Sequence, residues 1–259
     1  MNKIIKGCVL SILLVVIYSC ANDKKNEAKL ITELVETFDD GTKLTTIFTH
    51  KDNQIVWTDN AEEHLEYTYT EGLITKIVRT NKSDQTQVST VFTYDSEKLV
   101  EVQLSDASFT KYVHNTDGSV SYEHFVTNET KVQIRQFHGV LSFENGNLVK
   151  DSRVLDVVET EGIITKIVTS FEYDSNKNPY HTIQGFAKLL NQNELVSVNN
   201  SVLSVVENSS TSSIEDQVLS SAKMYKSNFK YNADGYPTEQ VTENEKRNLG
   251  YLKFEYIYE

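Results

Sequence analysis

The sequence predicts an all-β fold: an antiparallel meander of consecutive hairpins forming one strongly curled sheet or an incompletely closed barrel, with a two-sheet sandwich as the alternative. Three observations carry that expectation. The segment Glu71-Gly72-Leu73-Ile74-Thr75-Lys76-Ile77-Val78 returns ninety residues later as Glu161-Gly162-Ile163-Ile164-Thr165-Lys166-Ile167-Val168, so one structural element is reused. A pattern of an aromatic, any residue, then tyrosine recurs at Tyr67/Tyr69, Phe92/Tyr94, Phe171/Tyr173, Phe229/Tyr231 and Phe254/Tyr256. Helical periodicity, the third observation, is scarce.

Period two places both rings of each pair on one face of a strand. The residue between them is polar every time (Thr68, Thr93, Glu172, Lys230, Glu255), so the rings are expected on the concave or interior face and the polar residue in water. Turn chemistry follows the rings at Glu71-Gly72, Asp95-Ser96-Glu97-Lys98, Asp174-Ser175-Asn176-Lys177-Asn178 and Asn232-Ala233-Asp234-Gly235. The same kind of turn stands at Asp39-Asp40-Gly41, Lys51-Asp52-Asn53, Asn115-Thr116-Asp117-Gly118 and Glu144-Asn145-Gly146-Asn147. Asp and Asn side chains bond the local backbone, and glycine accepts positive φ without steric cost, so these eight sites read as hairpin turns. Residues 174–178 also match the start of an EF-hand calcium loop. Pro179 and Gly185 stand where that loop needs Gly and Glu, which leaves the turn.

Two segments interrupt the strand pattern. Residues 185–195 have apolar positions at Phe186, Leu189 and Leu190 and read as a short helix, and residues 213–223 open with a capping-type Ser213-Ile214-Glu215-Asp216. Between them, residues 197–213 are rich in Ser and Asn and read as a loop flanking one strand at 202–206. No composition break demands a second unit, so residues 30–259 are expected to form a single all-β domain.

Residues 1–7 carry Lys3 and Lys6 and no acid, and the apolar run at 8–18 is too short to cross a bilayer as a helix. This is the pattern of a signal peptide, here residues 1–19. The run ends in Ile17-Tyr18-Ser19-Cys20, which resembles the lipobox of bacterial lipoproteins and implies acylation of Cys20. A chain beginning at Cys20 has 240 residues, with 23 basic against 37 acidic side chains and a net charge of −14. Cys8 leaves with the signal, so no structural disulfide is available. Ala21 departs from the Asp that marks inner-membrane retention, which implies the outer membrane. Residues 20–29 are polar and charged and read as a flexible tether, loosely similar to the charged export signal of Bacteroidota surface lipoproteins.

The succession of aromatic, Tyr-Asp, turn and alternating strand resembles the YD-repeat-like (RHS-like) lipoproteins of Bacteroidota. Phe171-Glu172-Tyr173-Asp174-Ser175-Asn176-Lys177-Asn178-Pro179-Tyr180 and Phe229-Lys230-Tyr231-Asn232-Ala233-Asp234-Gly235-Tyr236-Pro237 are the most typical pieces. The Gly-Arg that follows the turn in the large toxin-shell repeats is missing, so a toxin cocoon is not implied. The resemblance transfers no activity.

Charge excludes one class of partner: a chain at −12 with no Lys/Arg cluster is not built for nucleic acid. There is no G-x-S-x-G elbow and no Gly-rich phosphate loop, and the six histidines never fall in ligand spacing, so no catalytic, cofactor or metal residues are assigned. Fourteen Tyr, eleven Phe and one Trp are the feature most open to a functional reading. Rings recurring in every hairpin read as cross-strand pairs. Trp57 stands outside the repeat and is the candidate for stacking on a ligand. The expected function is a non-catalytic outer-membrane lipoprotein with a binding or scaffolding role through an extended sheet surface, for a protein or glycan partner. The alternatives are a glycan-binding surface lipoprotein and a hydrolase whose site is not legible in sequence.

Overall fold

The computed structural model describes residues 29–104, 107–156, 162–193, 195–212, 217–244 and 252–259. The expected signal peptide, Cys20 and nearly all of the tether lie outside them. The first eight strands are β1 (Ile31–Thr37), β2 (Lys43–Lys51), β3 (Gln54–Asp59), β4 (Glu63–Thr70), β5 (Leu73–Asn81), β6 (Gln87–Asp95), β7 (Lys98–Leu104) and β8 (Ser108–His114). The second eight are β9 (Val120–Thr127), β10 (Gln133–Glu144), β11 (Asn147–Leu155), β12 (Ile163–Lys177), β13 (Asn199–Ser212), β14 (Gln217–Tyr231), β15 (Pro237–Asn244) and β16 (Leu252–Tyr258).

Each strand pairs antiparallel with its sequence neighbours, and β1 pairs with β16 through Leu34 opposite Tyr256 and Glu36 opposite Phe254, closing the sheet into a barrel. The expectation of an incompletely closed sheet is therefore corrected. An open meander would leave two unpaired edges, and closure satisfies both ladders.

Seven of the eight expected turns join adjacent strands. At the β8–β9 turn, Asp117 Oδ1 accepts from the Ser119 N–H at 2.9 Å while Gly118 sits at φ 88°, a conformation few other residues adopt cheaply. The eighth site, residues 174–178, is not a hairpin turn. β12 runs on to Lys177, and the Asp174 carboxylate accepts from the Asn200 N–H at 3.2 Å and from the Tyr231 hydroxyl. The chain is then diverted into the barrel.

That diversion, residues 178–198, plugs one end. It contains a short 3-10 turn, Phe186–Lys188, in place of the expected helix, and it buries Ile183, Phe186, Leu189, Leu190 and Val196. The Phe186 ring stacks between Tyr67 (5.9 Å) and Tyr180 (6.0 Å). The plug is bonded to the tight turns at this end: Gln184 N–H to Asn53 O at 2.9 Å and Val198 N–H to Gly146 O at 3.3 Å. Thr182 Oγ1 also donates to Lys29 O at 3.0 Å, so the N-terminal entry and the plug share one end of the barrel. A sixteen-strand barrel is too wide for its own side chains to fill, and the plug supplies the missing core there.

The Ser/Asn-rich stretch expected to be a loop is β13, and residues 217–223, expected to follow a helix cap, are in β14. In both strands apolar and polar residues mix on each parity, so the local strand pattern is weak. Ladder pairing on both sides of each strand overrides their weak local preference. Residues 213–216 lie outside the described residues.

Candidate functional site

Register separates the two faces of the wall. One row of opposed residues runs Phe92, Val102, Thr110, His124, Phe137, Leu155 and Thr165 across β6 to β12. Phe92 and Val102 are buried in the core that contains the plug, so this row faces the lumen. The adjacent row faces outward: Thr93, Glu101, Lys111, Glu123, His138, Val154, Lys166, Ser209 and Ser220. It starts near the plugged end of β6 and finishes toward the opposite end of β14, so it climbs the wall and carries charge along its course. On the other side of the barrel, Glu239 bridges Lys230 (2.6 Å) and Lys253 (3.0 Å), and Lys253 reaches Glu255 (3.3 Å), all on the outer face.

All five repeated ring pairs lie on the inner parity. Phe92 and Tyr256 are buried, and Tyr67, Tyr69, Tyr94, Phe171 and Phe254 pack against the core. Tyr173 donates to Leu148 O at 2.6 Å and accepts from Ser197 Oγ at 2.9 Å, tying the wall to the end of the plug. Phe229 and Tyr231 stack on each other at 6.0 Å. Trp57, the expected stacking residue, is on the outer face opposite Glu66. One of its faces is occupied by His64 at 5.6 Å, itself held by Asp59 at 2.9 Å, and it does not join the luminal residues.

The lumen contains a cavity of about 490 Å³ above the plug, lined by Thr110, Tyr112, Tyr122, Phe137, Leu141, Asp151 and Arg153 from the wall and by Leu190, Asn191, Gln192, Asn193 and Leu195 from below. Its organising group is a polar triad. Tyr122 Oη donates to Asp151 Oδ1 at 2.5 Å, Arg153 Nε donates to Tyr122 Oη at 3.2 Å, and Arg153 Nη2 reaches Asp151 Oδ2 at 3.3 Å. The Arg153 guanidinium lies 4.4 Å over the Phe137 ring, whose plane also stacks on His124 at 4.6 Å. His124 Nδ1 in turn meets Thr110 Oγ1 at 2.9 Å.

Burial pushes the Tyr112 and Tyr122 phenols well above their ordinary value, and at Tyr122 the bond to Asp151 adds to the rise. Burial acts against the Arg153 cation, but Tyr122 and Asp151 outweigh it and hold the guanidinium above its usual value. The triad is thus a fixed cation and anion joined through a neutral phenol. Gly139, opposite Arg153 on β10, makes room for it: a Cβ there would lie 2.5 Å from the Tyr122 ring and hydroxyl.

Sequence reasoning missed this constellation. The available signal was Asp151-Ser152-Arg153 on a strand, which puts opposite charges on one parity, together with a glycine in the middle of a strand.

No family model matches the sequence, and no curated protein matches it. Solved structures do. A porin-like protein from Bacteroides vulgatus ATCC 8482 superimposes with a TM-score of 0.57 at 12% identity, over 90% of this chain and 99% of the other. A porin-like protein from Bacteroides uniformis ATCC 8492 does so with a TM-score of 0.50 at 7% identity, over 88% and 96% respectively. At such identities the likeness establishes a shared fold.

Proposed function

We propose that the chain is a non-catalytic, lipid-anchored barrel of the outer membrane that stands in water and holds a small ligand in its lumen. The observation that carries this reading is the charged outer row from Thr93 to Ser220. A membrane-spanning barrel needs an outward apolar band roughly 25 Å tall, and a Lys or Arg facing lipid at the midplane costs about 2–4 kcal/mol. Lys111, Lys166 and the Lys230–Glu239–Lys253 cluster all face outward. Strand length agrees. Eight of the sixteen strands have only six to eight residues, where a span takes about 9–11. The porin-like name of the two structural neighbours would point to a channel; the charged wall and the plug favour a binding vessel.

The expected anchor at Cys20 fits the same picture, since Lys29, the end of the expected tether, accepts from Thr182 at the plugged end. The plug then faces the membrane, and a ligand enters from the opposite end. There the inward-facing residues Ser221 and Lys223 are exposed.

The test is to express the chain without residues 1–28. A monodisperse, β-rich protein in detergent-free buffer that neither partitions into liposomes nor conducts ions across a planar bilayer is expected. A requirement for detergent, or conductance, would overturn the reading. Mass spectrometry of the membrane-extracted full chain should find an acylated N-terminal cysteine at Cys20.

A further inference from the structure

We infer that the luminal cavity is a site for a neutral polyhydroxylated ligand, a short uncharged saccharide, held between the Tyr122–Asp151–Arg153 triad and the amides of Asn191, Gln192 and Asn193. The inference rests on the luminal-binding reading above and names the chemistry that the lumen selects.

Charge balance is the first argument. Among the cavity's lining residues there is one cation, Arg153, and one anion, Asp151, and they are already paired. An anionic ligand on the spare donors of Arg153 would meet the Asp151 carboxylate, only 8% exposed, unless that pair came apart, and a cationic ligand on Asp151 would meet the guanidinium in the same way. Breaking a buried pair leaves an uncompensated charge, so a neutral guest is the one that binds without that cost.

Hydrogen-bonding capacity is the second. Arg153 uses one N–H on Tyr122 and one on Asp151, and the guanidinium offers five. Its remaining donors therefore stand beside the unused lone pairs of the Asp151 carboxylate. Among the described residues, the side-chain amides of Asn191, Gln192 and Asn193 have no protein partner, and each offers both donors and acceptors. A row of hydroxyls, each a donor and an acceptor, matches such a mixed lining. A phosphate or carboxylate, which only accepts, does not.

Shape and edges exclude the competitors. The volume falls within the roughly 300–1,000 Å³ of small-molecule sites. An acyl chain would bury the triad and the amides against hydrocarbon, leaving polar groups unsatisfied. An extended peptide recognised through its backbone needs a free sheet edge, and a closed barrel has none. Tyr112, Tyr122 and Leu141 supply the apolar wall that the C–H face of a sugar ring requires.

The experiment is isothermal titration and saturation-transfer NMR on the full chain in a sugar-free detergent. The probes are maltose, cellobiose, mannobiose and chitobiose, with digalacturonate, octanoate and trialanine in parallel. At least one neutral disaccharide should bind. Asn191→Ala combined with Asn193→Ala should weaken it about tenfold, the worth of roughly one to two hydrogen bonds, with the melting temperature unchanged. Asp151→Asn should weaken it further, and the plug double variant keeps the test valid if Asp151→Asn fails to fold. Binding of octanoate, trialanine or digalacturonate in preference to every neutral sugar, lost in the plug variant, would overturn the saccharide assignment and leave the luminal reading standing. No binding by any probe, or saccharide binding indifferent to the luminal variants, would overturn both.

Discussion

Gly139→Ala separates two accounts of a glycine in the middle of a strand. If the residue were merely a weak strand former, alanine would stabilise the barrel by about 0.4–1 kcal/mol through the unfolded chain, because Gly139 has no positive φ to preserve. Geometry predicts the opposite sign. An added Cβ would lie 2.5 Å from Ser152 O and 2.5 Å from Tyr122 Cζ and Oη, where ordinary contacts begin at 3.4 Å. Ser152 O is backbone in the facing strand, and Tyr122 Oη is held by Asp151 at 2.5 Å and by Arg153 at 3.2 Å, so neither yields cheaply. Overpacking of this kind costs about 1–3 kcal/mol, and loosening a hydrogen bond to a charged group adds about 1.5–3. A loss of about 3–5 kcal/mol is therefore expected, a large part of a typical domain stability of roughly 5–15. Urea denaturation followed by far-ultraviolet circular dichroism reads it as a lower midpoint at unchanged slope. In a Tyr122→Ala background the same substitution should cost less, because one of its two obstacles is gone. A neutral or stabilising effect in the parent would refute the account of how the triad is seated.

Four further perturbations probe the plug, the wall and the outer face. Phe186→Ala removes a ring buried between Tyr67 and Tyr180 and should cost about 3–5 kcal/mol by thermal or urea unfolding; a loss under about 1 would mean that the plug does not serve as core. Tyr173→Ala should fall in the same range, since it removes a half-buried ring and frees the Ser197 and Leu148 groups that its hydroxyl engages. Burial pushes the Tyr67 and Tyr94 phenols up to about 12, so the protonated form is the one that the fold favours. The stability they contribute is complete below the unfolded value near 10 and is lost as pH rises from there toward 12, at up to about 1.4 kcal/mol per unit for the buried Tyr67 and less for Tyr94, which solvent partly screens. Absorbance at 295 nm should show these tyrosines ionising together with unfolding, and a full titration near pH 10 with the dichroism intact would count against it. Trp57→Ala alters an outer-face ring and should leave any luminal binding within about twofold, less than the worth of one hydrogen bond.

What was legible in the sequence follows the physics that sequence carries locally. Asp117-Gly118 or Asn145-Gly146 encodes its turn in its own side chains and its own φ, so those hairpins could be read without a neighbour. The parity of Phe92/Tyr94 or Phe254/Tyr256 likewise fixes a face by period two alone. Closure depends on Leu34 meeting Tyr256 from the far end of the chain, and nothing in either strand encodes that partner. The misreadings share one cause. Residues 174–198 combine a turn signature with an apolar pattern that has a helical look, and their conformation is set by the space inside a sixteen-strand wall and by anchors such as Asn53, Gly146 and Leu148. Trp57 stands out in sequence because it lies outside the ring repeat, whereas the triad uses common residues whose significance lies in facing one another across β9 and β11.

The charged exterior and the filled end are consequences of one choice of parity. In a membrane barrel the apolar residues of each strand point out and the polar ones in. Here Phe92, Val102, Tyr112 and Leu141 point in and Glu101, Lys111 and Glu123 point out, which supports the water-facing wall proposed above. A wide barrel with an apolar inner face cannot be left empty, because that face would meet solvent. Residues 178–198 cover it at one end, and the same segment becomes the floor of the cavity through Leu190 and Leu195. Toward the other end the inner face is mixed, with Asn208, Ser210 and Ser221 beside Leu219, which stands opposite Ser210 and is exposed. On the reading proposed above, attachment to the membrane comes from outside the barrel. The lipid proposed at Cys20, upstream of Lys29 at the plugged end, would be such an attachment and leave the opposite end free.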